Sequence, residues 1–71
     1  MKSTTLYQII FETENWHGKL GNGQVFMTNP SRDAVIDRAI GMANFSLPSH
    51  VVVYDEQQRV ADEYFFGELE K

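Results

Sequence analysis

The sequence contains no cysteine and no run of apolar residues longer than four. Without cysteine there are no disulfides, no thiolate nucleophile and no cysteine-based zinc site. The longest apolar runs, residues 9–11 and 51–54, are far shorter than the roughly 20 residues of a membrane-spanning helix, so we expect no membrane association. Polar residues follow Lys2, which predicts no signal peptide. Because small secreted domains usually depend on disulfides, the composition favours a cytoplasmic protein.

Positive charge is also scarce. Six Lys and Arg residues oppose ten Asp and Glu residues, for a formal net charge of −4. Nucleic-acid-binding proteins need clustered Lys and Arg to neutralise phosphates, so the sequence predicts no direct binding to nucleic acid. Acids and bases balance over residues 1–54, and the whole acidic surplus lies in residues 55–71. Such a surface favours solubility, a basic protein partner or mimicry of a nucleic-acid backbone.

The length of 71 residues suits one small domain, which we assign to residues 1–71, with residues 67–71 as a loose C-terminal tail. Alternating apolar residues predict a first strand over residues 6–13. Residues 14–23 contain three glycines and two asparagines, which predicts the long loop of an antiparallel hairpin with room for a short strand at its tip. The second strand of this hairpin is predicted over residues 24–28.

A helix is predicted over residues 30–43, where two neighbouring series of apolar residues repeat at i, i+4 and i+7. Proline suits the first helical position, and Asn29 before it suits the N-cap. At the other end, Asn44 suits a left-handed stop. We expect Phe45 and Leu47, which follow, to fold under the helix end.

The valines of residues 50–54 predict a strand inside a sheet, covered wholly or partly on both sides. A polar turn over residues 55–58 and a last strand over residues 59–66 follow. The order strand, strand, helix, strand, strand predicts an α+β fold with a mainly antiparallel four-stranded sheet and one helix packed on one face. The predicted core consists of Ile9, Phe11, Val35, Ile36, Ala39, Ile40, Val51 and Val53.

One family has a comparable arrangement of motifs. The relevant segments are residues 25–28, residues 33–36 with Ala39, residues 51–55, residues 59–60 and the pair Phe66-Gly67. Through them, residues 25–67 resemble the small bacterial proteins of the domain of unknown function 2188 family. Family members commonly carry Asp-Gly in the hairpin, where this chain has Glu56-Gln57-Gln58. The resemblance implies a fold and no established activity.

The sequence offers little catalytic chemistry. Two histidines and a carboxylate can hold zinc, but His17 and His50 lie 33 positions apart and neither belongs to a helical i, i+4 pair. The glycines of residues 18–23 lead into a strand, whereas phosphate-binding loops lead into a helix. The adjacent carboxylates of Asp55-Glu56 and of Asp62-Glu63 would point to opposite faces of a strand. We therefore predict no catalytic residue, metal or cofactor, and keep a small metal-dependent enzyme as an alternative.

Aromatic residues are the better candidates for function. Trp16 lies in a Gly- and Asn-rich segment, either as a lid over the core, which a small domain favours, or as an exposed contact. Tyr64, Phe65 and Phe66 are consecutive on a predicted strand, so at least one ring must point away from the core. The tail or another chain would cover that ring, and a homodimer through the last strand would also pair an exposed sheet edge.

These observations predict a non-catalytic protein-binding or accessory module whose partner is another protein or a second copy of this chain. An alternative is an inhibitor from a phage or mobile element, similar to an anti-CRISPR protein, that blocks a nucleic-acid-binding site. The predicted contact residues are Asp55, Glu56, Asp62, Glu63, Tyr64, Phe65, Phe66 and Trp16.

Overall fold

The computed structural model describes residues 4–67, which form five strands and one helix. In chain order these are β1 (Thr5–Glu12), β2 (Asn15–Leu20), β3 (Val25–Asn29), α1 (Arg32–Ala43), β4 (Ser49–Tyr54) and β5 (Val60–Phe66). No helix of this part of the chain is long and apolar enough to cross a membrane. Of the predicted tail, only Gly67 falls within the described residues.

The strands form one mixed sheet in the order β3-β2-β1-β4-β5. The α+β class is confirmed, but the sheet has five strands where the sequence predicted four. β1 and β4 are parallel, with Tyr7 opposite Val51 and Ile9 opposite Val53, and all other neighbours are antiparallel. Parallel strands need a long connection between them, and here β2, β3 and α1 supply it. The helix consequently lies across one face of the sheet.

The additional strand is β2, which occupies most of the segment predicted as a hairpin loop. It pairs with β1 through a tight turn at Thr13 and Glu14, whose φ angles are 53° and 63°. Two consecutive left-handed residues give a turn that matches the twist of the flanking strands. Trp16 and Gly18 are buried on the helix side of β2. Because an inward position is a glycine, the alternation of apolar residues that marks a strand is interrupted there.

The helix begins two residues later than predicted. Ser31 is the N-cap, with an extended backbone, and its Oγ accepts a hydrogen bond from the Ala34 N–H at 3.4 Å. Asn29, the predicted N-cap, instead stabilises the turn before the helix, because its Oδ1 accepts a hydrogen bond from the Ser31 N–H at 2.8 Å. The predicted left-handed stop at Asn44 is wrong. That residue is right-handed, with φ at −66°, and its N–H still donates to the Ile40 carbonyl.

The core lies between α1 and one face of the sheet. Val35, Ala39 and Ala43 of the helix are fully buried against the inward side chains of the strands. Five predicted core residues are confirmed, and Phe11 and Ile36 pack against the core half-buried. Ile40 is half-buried at the flank of the helix, because it lies about 100° around the helix from its buried neighbour Ala39. The buried cluster is Tyr7, Ile9, Trp16, Val35, Ala39, Ala43, Val51 and Val53.

The segment after the helix differs from its prediction. Phe45 is 92% exposed and Leu47 is 49% exposed, so neither folds under the helix end. Ser49 is buried there instead, and its hydroxyl lies within hydrogen-bond distance of the carbonyl oxygens of Ala43 and Ser46. This polar contact connects the end of α1 to the start of β4. Phe45 and Leu47, which lie between these two elements, take no part in this contact.

Gly18 marks the closest approach between β2 and its neighbours. A Cβ atom there would lie 2.5 Å from Cζ of Phe26 and 3.0 Å from Cγ1 of Val35. The Phe26 ring occupies this space and packs edge-on against Tyr7, with 5.9 Å between ring centroids. A register shift in the pairing of β2 with β3 follows Gly18 directly. The lack of a side chain at Gly18 therefore allows the Phe26 ring to pack there.

We predict that Gly18→Ala destabilises the fold by about 1–3 kcal/mol, because the new methyl group overlaps the Phe26 ring. Gly41→Ala is the matched control, since a Cβ atom at this helical position meets nothing within 4 Å. The control should stabilise the fold by roughly 0.5–1 kcal/mol, the usual gain when alanine replaces glycine in a helix. Urea denaturation measures both changes. A neutral Gly18→Ala would show that Phe26 does not fill this space.

Candidate functional site

The sheet face opposite α1 carries no other element of residues 4–67. We call it the open face. Successive side chains of a strand alternate between faces, so the neighbours of the inward core residues point here. Val52 is buried on this face even without a helix above it, whereas the residues around it are half-buried or exposed. The open face includes Leu6, Gln8, Ile10, His50, Val52 and Phe65.

On β4 and the edge strand β5 of the open face, His50 contacts both Glu63 and Phe65, and we call these three side chains the Phe65 cluster. The Phe65 ring stacks on the His50 imidazole, with centroids 4.2 Å apart and planes 16° from parallel. The two residues are direct cross-strand partners. Nε2 of His50 lies 2.9 Å from Oε1 of Glu63. The cluster fixes the orientation of the Phe65 ring while 68% of that residue stays exposed.

The second histidine belongs to a separate set of contacts. Nε2 of His17 donates to the carbonyl oxygen of Glu12 at 3.0 Å, so in the neutral ring Nδ1 accepts from the Thr28 hydroxyl at 2.9 Å. Lys19 donates to the carboxylate of Glu12 at 3.0 Å. His17 and His50 therefore do not share a site. Among residues 4–67, no group of three or more His, Asp or Glu side chains is arranged to hold a metal ion.

Trp16, one of the predicted contact residues, is buried and only 7% exposed. Its ring packs against Phe11, with centroids 4.9 Å apart, and the guanidinium of Arg32 lies 5.4 Å from its centroid. The interpretation as an exposed contact is wrong, because Trp16 is on an inward position of β2. It is the lid over the core, and Arg32 at the start of α1 covers it.

The three consecutive aromatic residues of β5 divide between the faces as their alternation predicts. Tyr64 and Phe66 are half-buried and pack against the core on the helix side. Phe65 alone points to the open face.

The acidic pair before these aromatic residues divides between the faces in the same way. Asp62 accepts a hydrogen bond from the Tyr64 hydroxyl at 3.4 Å, and Glu63 belongs to the Phe65 cluster. The sequence pattern does not identify His50 as a contact residue, because only the register of β4 against β5 places it under Phe65.

Asp55 and Glu56, the remaining predicted contacts, lie in the turn between β4 and β5. Oδ1 of Asp55 accepts the N–H groups of Gln57 at 2.8 Å and Arg59 at 3.0 Å. These contacts, first of all the backbone N–H of Arg59, lower the pKa of Asp55, and the Arg59 guanidinium adds to the effect. Asp55 therefore stabilises its own turn, while Glu56 is exposed beside it.

Comparisons with known proteins give no match: neither a family model, nor a curated protein, nor a solved structure matches this chain. The resemblance of residues 25–67 to the domain of unknown function 2188 family stays a prediction from the motifs. Function must therefore be argued from the geometry of the open face and its surroundings.

We predict that Asp55→Asn reduces the pH dependence of stability in acid. The folded-state pKa of Asp55 lies below its ordinary value of 3.8, so its contribution is present above that pH and is lost as the pH falls through the lower, folded value. Denaturation curves from about pH 5 to pH 2 measure this loss. The matched control is Glu56→Gln, which removes an exposed carboxylate and none of the hydrogen bonds of the turn. Equal pH dependence in both variants would contradict the assignment.

Proposed function

We propose that this protein is a non-catalytic binding module whose open face contacts a basic partner protein through Phe65. The observation that carries the proposal is the exposed, oriented ring of Phe65 on a sheet face that no helix of residues 4–67 covers. Aromatic side chains of this kind supply much of the binding energy at protein interfaces. The lack of cysteine supports a cytoplasmic location for the module.

Preorganisation of the ring favours tight binding. Ordering a side chain at an interface opposes association, and the stacking on His50 holds the Phe65 ring before a partner arrives. Beside the ring, Val52 and the half-buried Leu6 and Ile10 give the open face an apolar centre. A partner that covers Phe65 would therefore remove further apolar surface from water.

The charges around the cluster favour a basic partner. Glu63 is in the cluster itself, Asp62 precedes it on the helix side of the edge strand β5, and Glu56 is exposed at the preceding turn. The carboxylate of Asp55 is occupied by its own turn. Acidic groups around an aromatic anchor accelerate association with a basic surface, while the desolvated ring slows dissociation.

The same charges oppose the pairing of β5 with a second copy of itself. An antiparallel pair of β5 strands centred on Glu63 would place this residue opposite its own copy, and like charges in that position are destabilising. The repulsion between the two copies of Glu63 favours a different protein at β5. In the narrower form of the hypothesis, that protein binds nucleic acid, and the acidic side chains cover its binding site as a phosphate backbone would.

We predict that Phe65→Ala weakens partner binding at least about tenfold, mainly through faster dissociation. A partner captured from cell lysate on the immobilised wild-type protein is purified, and its binding kinetics are measured with each variant. Phe45→Ala is the matched control, because it removes a phenylalanine that is even more exposed than Phe65 from another surface. Neither change should unfold the chain. The proposal fails if Phe45→Ala weakens binding and Phe65→Ala does not.

Reversing two charges on β5 should act on the association rate instead. The double variant Asp62→Lys with Glu63→Lys is expected to slow association, and the difference from wild type should shrink as salt is added. A control with the same change in net charge, Glu14→Lys with Asp33→Lys, lies away from the open face and should associate normally. Equal effects of both double variants would indicate that only the net charge matters.

A further inference from the structure

The outer side of α1, turned away from the sheet, has two features that the fold itself does not explain. Gly41 is exposed in the last turn of the helix, and a Cβ atom there would meet nothing within 4 Å, although glycine is unfavourable at helical positions. Phe45, four residues later, is 92% exposed. Together with Asp37, Arg38 and Met42, these residues line a shallow groove of about 470 Å³.

The residues of this side are spaced symmetrically along the chain. Asp37 and Arg38 are adjacent, and the small residues Ala34 and Gly41 lie three positions before and after this pair. These four fall within an arc of about 100° on a helix of 3.6 residues per turn. Four positions further out on either side are the apolar residues Pro30 and Phe45, both exposed. We call these six residues the outer stripe.

We propose that the protein forms a two-fold symmetric dimer through the outer stripe, with the two α1 helices antiparallel. A two-fold axis between Asp37 and Arg38 places Asp37 against the partner's Arg38, and Arg38 against the partner's Asp37. Neither residue takes part in the ion pairs within residues 4–67, so both charges are available for this contact. The stripe is therefore complementary to itself in charge.

The same axis explains Gly41 and Phe45. It places Gly41 against the partner's Ala34, and two small residues at the contact allow the helices to approach closely. It also brings Phe45 to the partner's Pro30, where the exposed ring would leave water. One patch thus supplies the small contact, the apolar contact and the charge pair twice over, which is the arrangement of an isologous interface.

The dimer should be weak and dependent on concentration. The helix has 12 residues and is about 18 Å long, so the interface lies at the lower end of the size range for specific contacts. The outer stripe is on the opposite side of the molecule from the open face. Dimerisation therefore leaves both copies of Phe65 free, and the two proposals can fail independently of each other.

Charge reversal gives a sharp test. Asp37→Arg places an arginine against Arg38 of the second copy at both contacts, and Arg38→Asp places an aspartate against Asp37 of the second copy. The dissociation constant of each variant alone should therefore be at least about tenfold higher than that of wild type. An equimolar mixture of the two variants restores an opposite pair at both contacts, and heterodimers should form. Sedimentation equilibrium up to about 1 mM measures the three samples. A monomeric wild type, or a mixture as monomeric as its components, overturns the proposal.

A second test concerns the close approach of the helices. Gly41→Leu places a side chain into open space in the monomer, so the fold is retained, which circular dichroism verifies. The leucine separates the helices, and the dissociation constant should rise at least about tenfold. Phe65→Ala is the control on the open face and should leave dimerisation unchanged. The proposal is wrong if Gly41→Leu dimerises as tightly as wild type, or if Phe65→Ala has the larger effect.

Discussion

The packing of α1 against the inward face of β1, β2, β3 and β4 is the interaction on which the rest of the structure depends. The helix presents the small residues Ala39 and Ala43 beside Val35, so it can lie close to the sheet. Gly18 leaves space on β2, which the Phe26 ring fills next to Val35. A chain of 71 residues buries only roughly 60% of its unfolded surface, and one helix covers one face of the sheet.

Both proposed surfaces follow from this arrangement. No other element of residues 4–67 covers the sheet face away from α1. Cross-strand contacts on this face bury Val52 but leave Phe65 exposed. The outer side of the helix carries Gly41 and Phe45, neither of which contributes to the core. The two surfaces face opposite directions. A dimer through the helices would therefore present two open faces and raise the apparent affinity for a partner that can engage both.

Much of the architecture could be predicted from local patterns. The apolar repeat over α1 and the valines of β4 each identify their element, because these signals depend on neighbouring residues alone. Strand β2 could not be predicted so well, since Gly18 takes an inward position that only the distant Phe26 explains. Once β2 is counted as a strand, the chain crosses the sheet twice more before the helix, as β2 and β3, and β4 returns parallel to β1.

The candidate site was predicted in part for the same reason. Alternation along β5 required one of the three aromatic rings to point away from the core, and Phe65 does so. The contact with His50 depends on the register between two strands, which the sequence does not specify locally. The glycines and asparagines around Trp16 are typical of a loop, so its burial follows only once β2 is known to be a strand. Phe45 is apolar and yet exposed, whereas Ser49 takes the inner position through hydrogen bonds.

The most direct test of this account is a set of nuclear Overhauser contacts that report which face of the sheet the helix covers. The account predicts contacts from the methyl groups of Val35 and Ala39 to inward strand residues such as Ile9 and Val51, and contacts between the rings of Phe65 and His50. It also predicts none from the helix to Val52. Contacts from α1 to Val52 or to Phe65 would place the helix on the other face and contradict the account.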